Sequence, residues 1–114
     1  MNWLPLTSEN QLQEIITNSI NSKVKAVLIF KHSTRCSISL MALNRLESKW
    51  KFPQEDVPLY FLDLLKFPLI SSKIAELFNI QHESPQILLI KNGQSIYNAT
   101  HSAILFSEIE AELA

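Results

Sequence analysis

The stretch Ala26-Val-Leu-Ile-Phe-Lys-His-Ser-Thr-Arg-Cys-Ser-Ile-Ser39 passes from a continuous apolar run, through a polar turn, into a helical pattern. Ala26 to Phe30 is rich in strand formers and lacks alternation, as expected of a central strand covered on both faces of a sheet. His32-Ser-Thr-Arg35 forms the turn. Beyond it Cys36, Leu40, Leu43, Leu46 and Trp50 fall on one helical stripe. Pro53 stops any continuation of that helix.

Working outward, Ser8-Glu-Asn-Gln11 has the Ser-x-x-Gln form of a capping box, followed by Leu12, Ile15, Ile16 and Ile20 on one face of a first helix. A short strand around Trp3 to Leu6 is expected to pair at one side of the sheet. Val57 to Leu62 reads as a further strand closing on Asp63. Pro68 suits the first turn of a helix whose apolar face is Ile70, Ile74, Leu77 and Phe78, with Asn79 as its left-handed cap. Gln86 to Lys91 is a strand, Asn92-Gly93 is a strong hairpin signal, and Gln94 to Ala99 returns near the sheet edge. A last helix carries Leu105, Ile109 and Leu113. Strands alternating with helices imply a parallel unit with right-handed crossovers, followed here by an antiparallel hairpin. The class is α/β, a central mixed β-sheet flanked by helices, with a C-terminal hairpin and helix.

The chain of 114 residues has the size of a single domain, expected to span residues 1–114. Hydrophobic residues make up 46% and charged ones 18%, enough to bury a core. The formal net charge of -1, with no charged block, lacks the footprint of a nucleic-acid binder and the polybasic patch of a membrane-surface protein. The N-terminal residues do not read as a signal peptide, and no apolar run suffices to span a bilayer. A lone cysteine cannot close an intramolecular disulfide, which fits a reducing compartment, and the cytoplasm is the expected setting.

Cys36 stands where the buried strand turns into a helix. There the free N–H groups and the macrodipole amount to about half a positive charge, which favours thiolate, the nucleophile of disulfide exchange. Arg35 and Lys31 are positioned to add positive charge. Against this, free cysteines often simply pack, and Cys36 lies on the apolar stripe. Ser39, three residues on, can offer a hydroxyl to a thiolate, or be only a polar residue of the first turn. Ser84-Pro85 precedes a strand, where local sequence alone favours a trans bond. His32, His82 and His101 form no metal signature with one cysteine and read as surface or partly buried residues. A single glycine cannot build a phosphate loop, and the serines have no G-x-S-x-G context.

Ile74-Ala-Glu-Leu-Phe-Asn-Ile80, then Ser84-Pro85, then Ile87-Leu-Leu-Ile-Lys-Asn-Gly93 resembles the second half of thioredoxins. The likeness extends through the element order of nearly the whole chain and implies a thioredoxin-like fold. It also implies that the Ser84-Pro85 bond is cis and faces the cysteine, with Ser84 offering backbone hydrogen bonds to a disulfide partner. His32-Ser-Thr-Arg-Cys-Ser-Ile-Ser39 is similar to the His-Ser-Thr-x-Cys-Pro-Ile-Ser stretch of YtxJ-like monothiol bacilliredoxins, thioredoxin-fold proteins associated with the small thiol bacillithiol. Ser37 departs from the family's usual proline.

By this resemblance Cys36 is the attacking thiol and Ser39 takes the place of the second cysteine of a C-x-x-C motif. Thr34, Arg35, Ser84 and Pro85 are the expected substrate-binding residues. The activity implied is monothiol exchange that removes or carries bacillithiol on protein cysteines. Its partners are bacillithiol, as co-substrate, and thiolated client proteins, with no bound cofactor and no metal. Two other readings stay open. One is iron–sulfur handling like that of monothiol glutaredoxins, whose Cys-Gly-Phe-Ser is Cys36-Ser37-Ile38-Ser39 here. The other is a non-catalytic thioredoxin-fold binding module.

Overall fold

The computed structural model describes all 114 residues, Met1–Ala114. Five strands and four helices follow one another as β1 (Trp3–Pro5), α1 (Asn10–Ile20), β2 (Val27–His32), α2 (Ser37–Lys49), β3 (Leu59–Asp63), α3 (Pro68–Leu77), β4 (Gln86–Lys91), β5 (Gln94–Thr100) and α4 (Phe106–Leu113), with a 3-10 turn at His101–Ala103. The sheet order is β1-β3-β2-β4-β5. β1 and β2 pair with β3 in parallel, whereas β4 runs antiparallel to both β2 and β5. This is the mixed sheet expected from the alternation of elements.

Every residue of β2 is buried, because helices cover both of its faces. Val27 and Ile29 join Leu12, Ile15, Ile70 and Ile74 in one core beneath α1 and α3. Leu28 and Phe30 join Ala42, Leu46, Ile104 and Ile109 in the other, beneath α2 and α4. Each such fully buried aliphatic or aromatic side chain contributes roughly 1.5–3 kcal/mol relative to exposure. Arg45 ties α2 to the turn before α4, donating from Nε to the Ile104 carbonyl at 3.1 Å and from Nη2 to the His101 carbonyl at 3.2 Å.

The hairpin forms as its sequence demands. Asn92 and Gly93 take φ values of 54° and 76°, and Asn79 closes α3 at 53°. Ser19, fully buried on α1, accepts the Gly93 N–H at 2.9 Å and so anchors the hairpin to the helix. No helix is long and apolar enough to cross a membrane.

Several local expectations are corrected. Only half of the capping box forms: the Gln11 side chain accepts the Ser8 N–H at 3.0 Å, but Glu9 is the N-cap and no side chain caps the helix. Ile20, Leu40 and Leu77, assigned to apolar faces, are 60%, 51% and 42% exposed. Their places are taken by the buried small residues Ser19, Ser39 with Ala42, and Ser71. Before α4 it is Ile104, fully buried, and not the exposed Leu105 that anchors the helix. β2 also runs two residues past Phe30, carrying Lys31 and His32 into the interior on opposite faces of the sheet.

Candidate active site

The C-terminal end of β2 and the start of β4 lie side by side, and the residues singled out in the sequence gather there. Lys31 pairs with Gln86, so the register carried one step further sets Pro85 across from His32. The Ser84–Pro85 bond is cis, as the thioredoxin resemblance implies and as local sequence alone does not. Pro85 is buried, and its carbonyl accepts the His101 N–H at 3.1 Å. The N–H and C=O of Ser84 bond to nothing within the chain, and its Oγ is buried without a partner.

From His32 the chain leaves the sheet through Ser33, Thr34 and Arg35, the last two exposed, and the Cys36 N–H closes the turn on the Ser33 carbonyl at 3.1 Å. Cys36 is the N-cap of α2. It is partly exposed and extended (φ −112°, ψ 115°), and its sulfur takes no capping hydrogen bond. The side chain is therefore held at the mouth of the helix without being spent on it. Ile38, Leu40 and Met41, in the first turns of α2, are exposed and give this end of the helix an apolar surface. Arg35 enters no ion pair, so its charge is free at the rim.

Lys31 does not stand beside the thiol, as the sequence reading had it. It points to the α3 side of the sheet and is fully buried. Its Nζ donates to the Ser71 carbonyl at 3.3 Å and lies 3.2 Å from His82 Nδ1, which is also 3.0 Å from Ser71 Oγ. Burial without a carboxylate pushes the Lys31 ammonium down to about 8.

The residue that sequence reasoning passed over is His32. It is 6% exposed, its ring 5.2 Å from that of Phe61, and its Nδ1 is 2.6 Å from the hydroxyl of fully buried Ser39. Burial pushes the imidazole below its ordinary range, while Asp63, its partner in the β2–β3 register, pulls it back up. Ser39 also accepts the Ser33 N–H at 3.2 Å. The available signal was position: His32 continues the Leu28, Phe30 face of the strand into the core. The other histidines lie elsewhere, and no group of three His, Cys, Asp or Glu side chains is gathered in the chain.

A partly exposed cysteine at the N-cap of the helix that follows a central strand, in a mixed sheet of this order, defines a thioredoxin-fold thiol–disulfide oxidoreductase. Solved structures agree. The chain is 27% identical to a protein described as a candidate oxidoreductase with a thioredoxin fold, at a TM-score of 0.77 over 97% of this chain and 93% of that one. Thioredoxin of Malassezia sympodialis is 22% identical, at 0.70 over 98% and 88%. Oxidised thioredoxin of Plasmodium falciparum is 20% identical, at 0.70 over 99% and 100%. Residues 4–109 match the family model of the monothiol bacilliredoxin BrxC, and the chain belongs to that family.

Proposed function

We propose that this protein removes bacillithiol from protein cysteines, with Cys36 as nucleophile. The Cys36 thiolate attacks the bacillithiol sulfur of a client mixed disulfide. The client's sulfur leaves as a thiolate and takes a proton from water, and Cys36 now holds bacillithiol in a new disulfide. A second bacillithiol thiolate then attacks the bacillithiol sulfur on Cys36, releasing bacillithiol disulfide and restoring the protein thiolate. No second cysteine exists in the chain to finish the cycle from within.

The observation that carries this reading is the placement of the only cysteine at an N-cap, partly exposed, at the end of β2 that pairs with the start of β4. Unused backbone groups of Ser84 suit an incoming extended segment, and exposed Thr34 and Arg35 suit the polar small thiol. The apolar rim of Ile38, Leu40 and Met41 suits a protein client. A reducing cytoplasm is the setting in which such a cycle runs. The test is intact mass after incubating reduced protein with bacillithiol disulfide and, separately, with glutathione disulfide, with Cys36→Ser as control. A single adduct with bacillithiol alone supports the reading. Adducts with both indicate a general thiol exchanger, and adducts with neither sink it in favour of a binding module.

A further inference from the structure

Residues Gln81–Ser84, which lead into the cis bond, take part in no backbone–backbone hydrogen bond. Side chains hold them instead, and two of these come from register partners on adjacent strands, Lys31 of β2 and Gln86 of β4. Gln86 accepts the Glu83 N–H through Oε1 at 3.3 Å and donates from Nε2 to the Gln81 carbonyl at 3.1 Å. Fully buried Lys31 donates from Nζ to the Ser71 carbonyl at 3.3 Å and reaches His82 Nδ1 at 3.2 Å. At neutral pH Lys31 is chiefly ammonium. An ammonium has three N–H groups and no lone pair, so Lys31 is the donor and the imidazole nitrogen the acceptor. A proton on that nitrogen would set two positive charges 3.2 Å apart and end the contact. His82 is exposed, so a charged ring is free to turn into water.

We propose that Lys31 is a positioning residue: through His82 it holds the Gln81–Ser84 segment, and with it the free backbone groups of Ser84, in place for a bound client. This rests on the functional reading above, in which an extended client segment pairs with Ser84. Around the lysine, β3 contributes Leu62, β4 contributes Gln86 and α3 contributes Ser71, none of which titrates. The loop contributes His82 and Glu83. Burial and the Lys31 charge hold the His82 imidazole below its ordinary range, and Glu83 partly offsets them. The tie is therefore intact at neutral pH and is lost on acidification below the ordinary histidine value.

The test compares the rate of exchange with a bacillithiolated protein against the rate of Cys36 alkylation by iodoacetamide at the same pH, which reports the thiolate alone. His82→Leu, at an exposed position, removes the acceptor and lowers the ratio of the two rates by roughly five-fold at neutral pH, the effect of about one hydrogen bond. Lys31→Met lowers it as much, and the double variant adds nothing, because both changes remove the same contact. In the native protein the ratio falls as pH drops from about 7 to about 5, and in His82→Gln, whose side chain does not titrate, it stays level. Equal ratios in the native protein and His82→Leu, additive effects in the double variant, or a fall with pH that persists in His82→Gln would overturn the proposal. If Cys36 forms no mixed disulfide with the client, the functional reading fails instead, and the amide resonances of Glu83 and Ser84 decide on Lys31. Signals that move with the titration of His82 uphold the tie, and signals that stand still through it refute it.

Discussion

Lys31→Met should raise stability at neutral pH and remove most of a stability gain that the native protein makes between about pH 7.5 and about pH 9.5. Lys31 is fully buried, held by a carbonyl and an imidazole and by no carboxylate. Its ammonium loses its proton at about 8 in the folded chain, against 10.5 when free. Between those values the unfolded chain binds more protons than the folded one, so stability rises with pH through the window. For a single site with this shift the gain from pH 7.5 to pH 9.5 is about 2 kcal/mol, equivalent to roughly 8 °C in Tm for a domain of this size. Tyr60, whose phenol is pushed up to about 12 by burial and by Glu14, works in the other direction, but only as pH approaches its free value of 10. Methionine fills the space of the lysine stem without the charge, and replacing a buried ion by an apolar side chain is often stabilising. The assay is urea denaturation of both proteins across the window. Parallel stability curves for native protein and Lys31→Met would refute the reasoning, because the pH dependence would then arise elsewhere.

Ser19→Ala leaves the partly buried Gly93 N–H without its partner at the hairpin turn and should cost about 1 kcal/mol in denaturant unfolding. Gly93→Ala should cost about 1 kcal/mol from its positive φ alone, since the added Cβ meets Ile16 Cγ2 at an ordinary 3.6 Å. Acidification from neutral pH should destabilise the protein below the ordinary histidine range, because the buried His32 resists the proton that the unfolded chain accepts. His32→Phe should show a smaller loss over the same pH range, read by thermal melts. Ile38→Glu with Met41→Glu should slow exchange with a bacillithiolated protein by roughly ten-fold while leaving reaction with bacillithiol disulfide nearly unchanged, because only the protein client covers that apolar rim.

The parts of the fold legible in the sequence are those fixed by local backbone chemistry. Pro68 opens α3 at its first residue, Asn79 takes the left-handed cap, and Asn92-Gly93 turns the hairpin with β4 at the boundaries expected. The helix faces were less legible, for one physical reason. Ser19, Ser39 and Ser71 are buried because their hydroxyls are satisfied by hydrogen bonds, and hydrophobic periodicity cannot register a polar residue whose partners lie elsewhere in the chain. Displaced by them, Ile20, Leu40 and Leu77 face outward. Of the candidate site, Cys36, Ser39 and the Ser84–Pro85 loop were legible from position and resemblance. Lys31 and His32 were not, because the apolar run ends at Phe30 although the strand continues, and only the register with Gln86 and Asp63 reveals how far.

The central claim is tested most directly by mixing the reduced protein with a bacillithiolated client and following the masses of both chains in time. The account predicts that each bacillithiol lost by the client appears on Cys36, one for one, and that added bacillithiol then clears it. A client that keeps its bacillithiol beside a fully reduced, accessible Cys36 would contradict it.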